Sequence, residues 1–156
     1  MSVTLRPMTD AEYADWHEDA VATYAQEFVS SGILAEEQAQ ERAEKDFSEL
    51  LPDGLSTENH LLWSARDDEA TVVGTVWVAL MPERKPPHSF VYSLDVNADQ
   101  RRKGYGQAIM EAAMQECRDR GIGSMGLNVF GHNDTARRLY ERLGFKVAST
   151  SMKTTL

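Results

Sequence analysis

The chain has 156 residues with 42% hydrophobic and 26% charged, a formal net charge of -9 and a single cysteine, Cys117, which is the make-up of one ordinary globular domain. So acidic a chain lacks the basic surface that phosphate neutralisation on a nucleic acid requires, and one cysteine excludes an internal disulfide framework or a cysteine-rich metal site. No apolar run approaches the ~18 residues of a membrane helix, and the opening MSVTLRPMTD has neither the basic nor the apolar region of a secretory signal. The expectation is one soluble cytoplasmic domain over residues 1–156 with no metal, membrane or nucleic-acid partner, whose acidic balance suits a cationic small substrate.

In chain order, Thr9-Asp10-Ala11-Glu12 reads as a capping box, and Tyr13, Trp16, Ala20, Tyr24 and Phe28 then recur at three- and four-residue steps, predicting an amphipathic helix that ends near Gly32. A second helix covers Ala35 to Leu51, with Ala39, Ala43, Phe47 and Leu50 on one face, and Pro52-Asp53-Gly54 stops it. From His60 the period becomes strand-like. HLLWSAR, a DDEA turn and TVVGTVWVAL predict an antiparallel hairpin with Trp63 and Trp77 turned to the core, PERKPP is a loop, and SFVYSLDV at 89–96 is the third strand of the meander. Residues 106–120 predict a helix closed by Gly121, MGLNVF a strand, NDTARRLYERL a helix stopped at Gly144, and FKVAST and SMKTTL two short closing strands.

Between the third strand and the 106–120 helix lies RRKGYGQ, residues 101–107. A strand that turns through two glycines into a helix leaves backbone N–H groups unpaired at the positive end of the helix dipole. That arrangement cradles anions, and Arg101, Arg102 and Lys103 add positive charge there. A tight turn or a solvated basic face remains open as the plainer reading. No Gly-Lys-Ser/Thr follows and the third glycine of GxGxxG is missing, so neither ATP nor NAD is the first choice.

Arg101-Arg102-Lys103-Gly104-Tyr105-Gly106 resembles the Arg/Gln-x-x-Gly-x-Gly/Ala signature of the GNAT family of N-acetyltransferases, and NVFGHNDTARRLYERLGF at 128–145 resembles the family's Asn-x-x-Ala-x-x-Leu-Tyr-x-x-x-Gly-Phe segment. The resemblance implies a single α/β GNAT-like domain, a mixed and mostly antiparallel sheet flanked by helices on both faces and splayed beside Leu94 to Val96. Residues 10–58 would form a helical acceptor-side region and 60–150 an acetyl-CoA-binding core. Acetyl-CoA is the implied cofactor. The amides of Arg102 to Gln107 would hold its pyrophosphate, the backbone around Leu94, Asp95 and Val96 its pantetheine arm, and Asn133 would lie near that arm. The implied reaction is direct attack of a primary amine on the thioester, with a backbone N–H near Leu94 polarising the carbonyl and the phenol of Tyr140 donating a proton to the departing thiolate.

The residues themselves keep plainer readings open. Tyr140 shares a helix face with Ala136, Leu139 and Leu143, as a core aromatic would, and Asn133 suits a helix cap. Phe90 to Ser93 hold none of the glutamates that serve several family members as general base, so the base is unassigned; Glu58, His60 and His132 are candidates by chemistry alone. Cys117 reads as a small buried hydrophobe. The acceptor is a small-molecule or peptide amine, cationic if the acidic helices and the 82–88 loop form its site. A protein or peptide N-acetyltransferase and a non-catalytic acyl-CoA-binding module are the alternatives. Acyl-chain length depends on the lining near Val76, Tyr92 and Asn128, and sheet edges near the C terminus suit a homodimer.

Overall fold

The computed structural model describes residues 1–156 as five strands and four helices. In chain order they are β1 (Thr4–Pro7), α1 (Asp10–Ser30), α2 (Glu36–Leu50), β2 (His60–Arg66), β3 (Val72–Met81), β4 (His88–Val96), α3 (Tyr105–Asp119), β5 (Ser124–Leu127) and α4 (Asp134–Arg142). The strands lie side by side in sequence order, all pairs antiparallel except β4 with β5, which α3 joins as a parallel crossover. No helix is long and apolar enough to cross a membrane.

Each face of the sheet carries its own core. On one, Trp63, Ala65, Val76, Val78 and Val91 meet Ile109, Met110, Ala113 and Cys117 of α3. On the other, Leu62 and Trp77 meet Val21 and Ala25 of α1 and Ala39, Ala43 and Phe47 of α2. This is the layered solution expected of strands with apolar residues on both sides. The small side chains of Ala39 and Ala43 sit at the α1–α2 seam, and Tyr24 of α1 donates its hydroxyl proton to Asp46 of α2 at 3.0 Å.

The capping box forms as read. Thr9 Oγ1 accepts from the Glu12 amide at 3.1 Å and Glu12 Oε1 accepts from the Thr9 amide at 2.9 Å. The second carboxylate oxygen of Glu12 meets Arg66 of β2 at 3.1 Å, so one side chain both starts α1 and ties it to the sheet. The backbone hydrogen bond from Thr9, with help from Arg66, holds the Glu12 carboxyl below the ordinary glutamate range against the opposing effect of burial.

Gly74 sets the spacing of β3 and β4. A Cβ there would stand 2.3 Å from the Asp95 carbonyl oxygen and 2.9 Å from Cδ1 of Ile109, so only glycine lets the two strands and α3 close together at this point. The closure carries Leu94 and Val96 beneath α3, where both pack against its core.

The expected closing strands do not form. From Lys146 onward no backbone amide finds a protein acceptor and every residue is exposed. Past Phe145 the only large apolar side chains are Val147, Met152 and Leu156, and all three stand exposed, so neither segment offers a row of apolar residues to bury against the sheet. The strand expected over MGLNVF is also shorter. β5 ends at Leu127, where its pairing with Val91 ends.

Because the folded state depresses the Glu12 pKa, its contribution is fully present above the unfolded value near pH 4 and is lost as pH falls through the folded value. Glu12→Gln is expected to lower unfolding free energy by about 1 kcal/mol at pH 7. Urea melts at pH 7 and pH 3 should show that gap narrowing in acid; a gap independent of pH would separate Glu12 from the acid limb of stability.

Candidate active site

β4 runs nine residues, but β5 pairs only with its first part, His88 to Val91. Beyond Val91 the backbone groups of β4 that point toward β5 have no strand to meet, and the sheet opens into a cleft. Leu94 and Val96 face α3 on one side of the opening, and Asp95 faces the α1 side.

At the end of β4 the chain passes through a short 3₁₀ turn and enters α3 at Tyr105. No backbone N–H from Arg101 to Gln107 has an acceptor within the protein. Arg102 at φ +64° and Gly104 at φ +88° both adopt left-handed backbone; glycine does so freely, whereas a non-glycine residue there is a strained element that concentrates at functional sites. A Cβ on Gly106 would stand 3.3 Å from Leu139 of α4 and 3.8 Å from Val96, so α3, α4 and the end of β4 pack close at this point. The predicted loop residues are thereby brought together: the Arg101 guanidinium donates to the Val96 carbonyl at 3.0 Å and lies 3.8 Å from Asp95, while Lys103 and Gln107 reach Gln100 and Glu111. The Arg102 and Lys103 heads carry no ion pair. Seven free amides, two unpaired cations and the N-terminus of a fifteen-residue helix suit a multiply charged anion.

Tyr140 lies across this opening on α4. It is half-buried at the edge of the α3 core, its ring 5.7 Å from Phe145, and its hydroxyl bonds to no protein group. Burial pushes its phenol above the ordinary tyrosine value, so it keeps its proton at neutral pH. Asn133 caps α4, its Oδ1 accepting from the Ala136 amide at 3.2 Å. The capping role read from sequence is present.

The α1 side was less legible. Trp77 donates its indole N–H to Nδ1 of His60 at 2.9 Å, which fixes the proton of the neutral ring on Nε2, and burial lowers the His60 pKa further. His60 is therefore a structural acceptor and not a free base. Glu58 is exposed in the turn before β2. Two carboxylates that the sequence did not single out as titrating groups are shifted instead, Asp95 at the end of β4 and Glu27 on α1. Asp95 is raised above its usual value by the protein mass around it and by Asp19, with Arg101 opposing; Glu27 of α1 is raised by burial, with His132 opposing.

The sequence profile of the Acetyltransferase (GNAT) family matches residues 12–145. The uncharacterized N-acetyltransferase YycN of Bacillus subtilis is 36% identical over 152 residues, 97% of each chain, and its crystal structure superposes with a TM-score of 0.95 over 99% of both. YdgE of the same organism, also an uncharacterized N-acetyltransferase, is 28% identical over 98% of both chains. The mycothiol acetyltransferase of Propionibacterium freudenreichii is 34% identical over 121 residues, 78% of this chain and 36% of that protein. The chain belongs to the GNAT family and is an acetyltransferase.

Cys117 is 3% exposed on the core face of α3, and burial raises its thiol pKa, so it supplies no nucleophile for a covalent acyl intermediate. An aromatic disulfide reagent at pH 8 should react with it at least about a hundred-fold more slowly in the native protein than in urea-unfolded chain. Rapid native reaction would mean that α3 lifts from the sheet.

Proposed function

We propose that this GNAT acetyltransferase moves an acetyl group from acetyl-CoA directly to the primary amine of a small molecule or peptide, with the cofactor on the α3 side of the cleft and the acceptor on the α1–α2 side. The observation that carries the reading is the run of seven backbone amides, Arg101 to Gln107, left without acceptors where β4 turns into α3. A pyrophosphate meets those amides and the positive end of the helix together, with Arg102 and Lys103 supplying charge. Asn133 caps α4 and, with the backbone of Leu94, Asp95 and Val96, would face the pantetheine arm.

Acetyl-CoA supplies the acetyl group as a thioester. The chain's own part is to position, polarise and move a proton. Backbone N–H groups of β4 near Leu94, in the stretch that β5 leaves unpaired, would act on the carbonyl oxygen as fixed donors. Tyr140, protonated at neutral pH and free of any protein hydrogen bond, would hold the proton that the thiolate takes on leaving. The reading needs no covalent enzyme intermediate, in keeping with the buried Cys117.

Calorimetric titration with acetyl-CoA and CoA is expected to give binding by the parent chain and none by Gly104→Glu, whose side chain would occupy the cradle and could not easily adopt φ +88°. A folded parent that binds neither would reduce the loop to a turn. Tyr140→Phe should bind the cofactor normally and lower kcat by about a hundred-fold, the lower range for a general acid. Amine-dependent thioester cleavage separates the enzyme from a module that only binds acyl-CoA; cofactor binding without such cleavage for any amine would favour the module.

A further inference from the structure

The cradle and Tyr140 use the α3 side of the cleft. The other side carries an aromatic arrangement that they leave without a role. In the β3–β4 ladder Trp77 pairs with Ser93 and Val78 with Val91, so Tyr92 is an extra residue, bulged out of register. Bulges re-aim side chains beside functional clefts. Here the bulge falls at the first residue past the end of the β5 pairing, and the Tyr92 ring turns onto the α1–α2 face.

That ring lies over Trp77 with centroids 4.5 Å apart and planes at 26°; His60 lies beside both rings, 6.1 Å from Tyr92 at 22° and 5.9 Å from Trp77 at 42°, and Phe90 meets Tyr92 edge-on at 4.9 Å. The base of the stack is fixed. Trp77 is 2% exposed, bonds His60 through its indole N–H, and is packed by Trp16 at 89° and by Phe47. Tyr92 nonetheless keeps 38% of its surface. No cation of the protein covers it: the two guanidinium–ring contacts join Arg42 to Phe28 and Arg120 to Trp63.

The charges facing this side are mostly negative. Asp95 stands three residues along β4 on the same face, opposite Asp19 of α1, and Glu27 lies further along α1 with no ion pair or hydrogen bond. The opposing groups are Arg101, 3.8 Å from Asp95, and His132 near Glu27. A partly exposed aromatic side chain on the same strand face as Asp95 suits an alkylammonium group, which ring quadrupole and counter-charge attract together.

Resting on the acetyl-transfer reading above, we infer that Tyr92 is the floor of the acceptor site and that the acceptor is an amine bearing a second, non-reacting ammonium group, held over the Tyr92 ring with Asp95 as its counter-charge. Tyr92 thereby determines specificity without touching the acetyl group's chemistry.

The test compares two acceptors with the same reacting amine, a four-carbon α,ω-diamine and the four-carbon amino alcohol that replaces its second ammonium by a hydroxyl. The parent is expected to favour the diamine in kcat/KM by at least about ten-fold, the scale of one desolvated cation–π contact. In Tyr92→Ala the diamine KM should rise about ten-fold with kcat changed less than two-fold, and the preference over the amino alcohol should collapse. Tyr92→Phe should restore it, which loss of fold or packing alone would not allow. Acetyl-CoA titration of each variant reports whether the cofactor side is intact. Equal use of both acceptors by the parent, better use of an aromatic amine than of the diamine, or an undiminished preference in Tyr92→Ala overturns the inference while leaving acetyl transfer standing. Binding of acetyl-CoA without turnover of any amine overturns the inference together with the catalytic reading, and absence of acetyl-CoA binding overturns the cradle itself.

Discussion

The close approach of β3 and β4 at Gly74 governs the geometry of everything that follows it. With Asp95's carbonyl oxygen 2.3 Å and Ile109 2.9 Å from where a Cβ would stand, the two strands and α3 meet at a distance that no other residue permits. Val96 thereby packs under α3, and the eight residues that follow it, with a 3₁₀ turn at Ala98–Gln100, lead into the helix at Tyr105. The free amides of residues 101–107 belong to the end of the connecting loop and to the first turn of α3, whose N–H groups have no intrahelical partner. At Gly106 the approach is close but less strict, a Cβ there standing 3.3 Å from the end of the Leu139 side chain of α4.

The second constraint is unequal strand length. β4 offers nine residues and β5 four, so the sheet stays closed over His88 to Val91 and opens over Tyr92 to Val96. An opened sheet costs unpaired backbone groups, and a cleft that exposes them to a ligand on one side and solvent on the other is one way to carry that cost. The Tyr92 bulge sits at the point of parting. It sends one ring to the α1–α2 face while the following residues, Leu94 and Val96, keep their side chains on the α3 face. A single strand therefore presents different chemistry to its two sides.

Features whose causes are local were legible in the sequence. The capping box at Thr9 and Glu12, the left-handed stops at Gly121 and Gly144, the Asn133 cap and the glycines of the cradle all follow from residues a few positions apart, and all appear. What the sequence hid depends on pairing between distant segments. Nothing near Leu127 announces that β5 stops there, since the end is set by where β4 turns away. The C-terminal segment looked strand-like by composition, but it carries few large apolar side chains, and Val147, Met152 and Leu156 all stand exposed. The register shift at Tyr92 and the Trp77–His60 hydrogen bond were likewise invisible, because each depends on which residues of other strands lie opposite. The partner that removes His60 as a base candidate is seventeen positions away. Glu27 and Asp95 look like ordinary surface acids until α1 and the end of β4 are set beside the cleft.

The missing glutamate on β4 takes on a different meaning in this light. A carboxylate beside the reacting amine stabilises its ammonium form and so opposes the deprotonation that attack requires. A carboxylate beside a second, non-reacting ammonium has no such drawback: it contributes to binding in the ground state and leaves the nucleophile alone. Asp95 stands past the bulge and is partly compensated by Arg101; Glu27 stands on a separate helix. Burial raises both above the ordinary carboxylate range, with Arg101 opposing at Asp95 and His132 opposing at Glu27. Such an acceptor side needs no dedicated base. The charge of the distal ammonium lowers the pKa of its neighbour across a short methylene chain, and water in the open cleft can take the proton. Aromatic floor, flanking acids and absent strand glutamate are then consequences of one choice, to bind the charge that does not react.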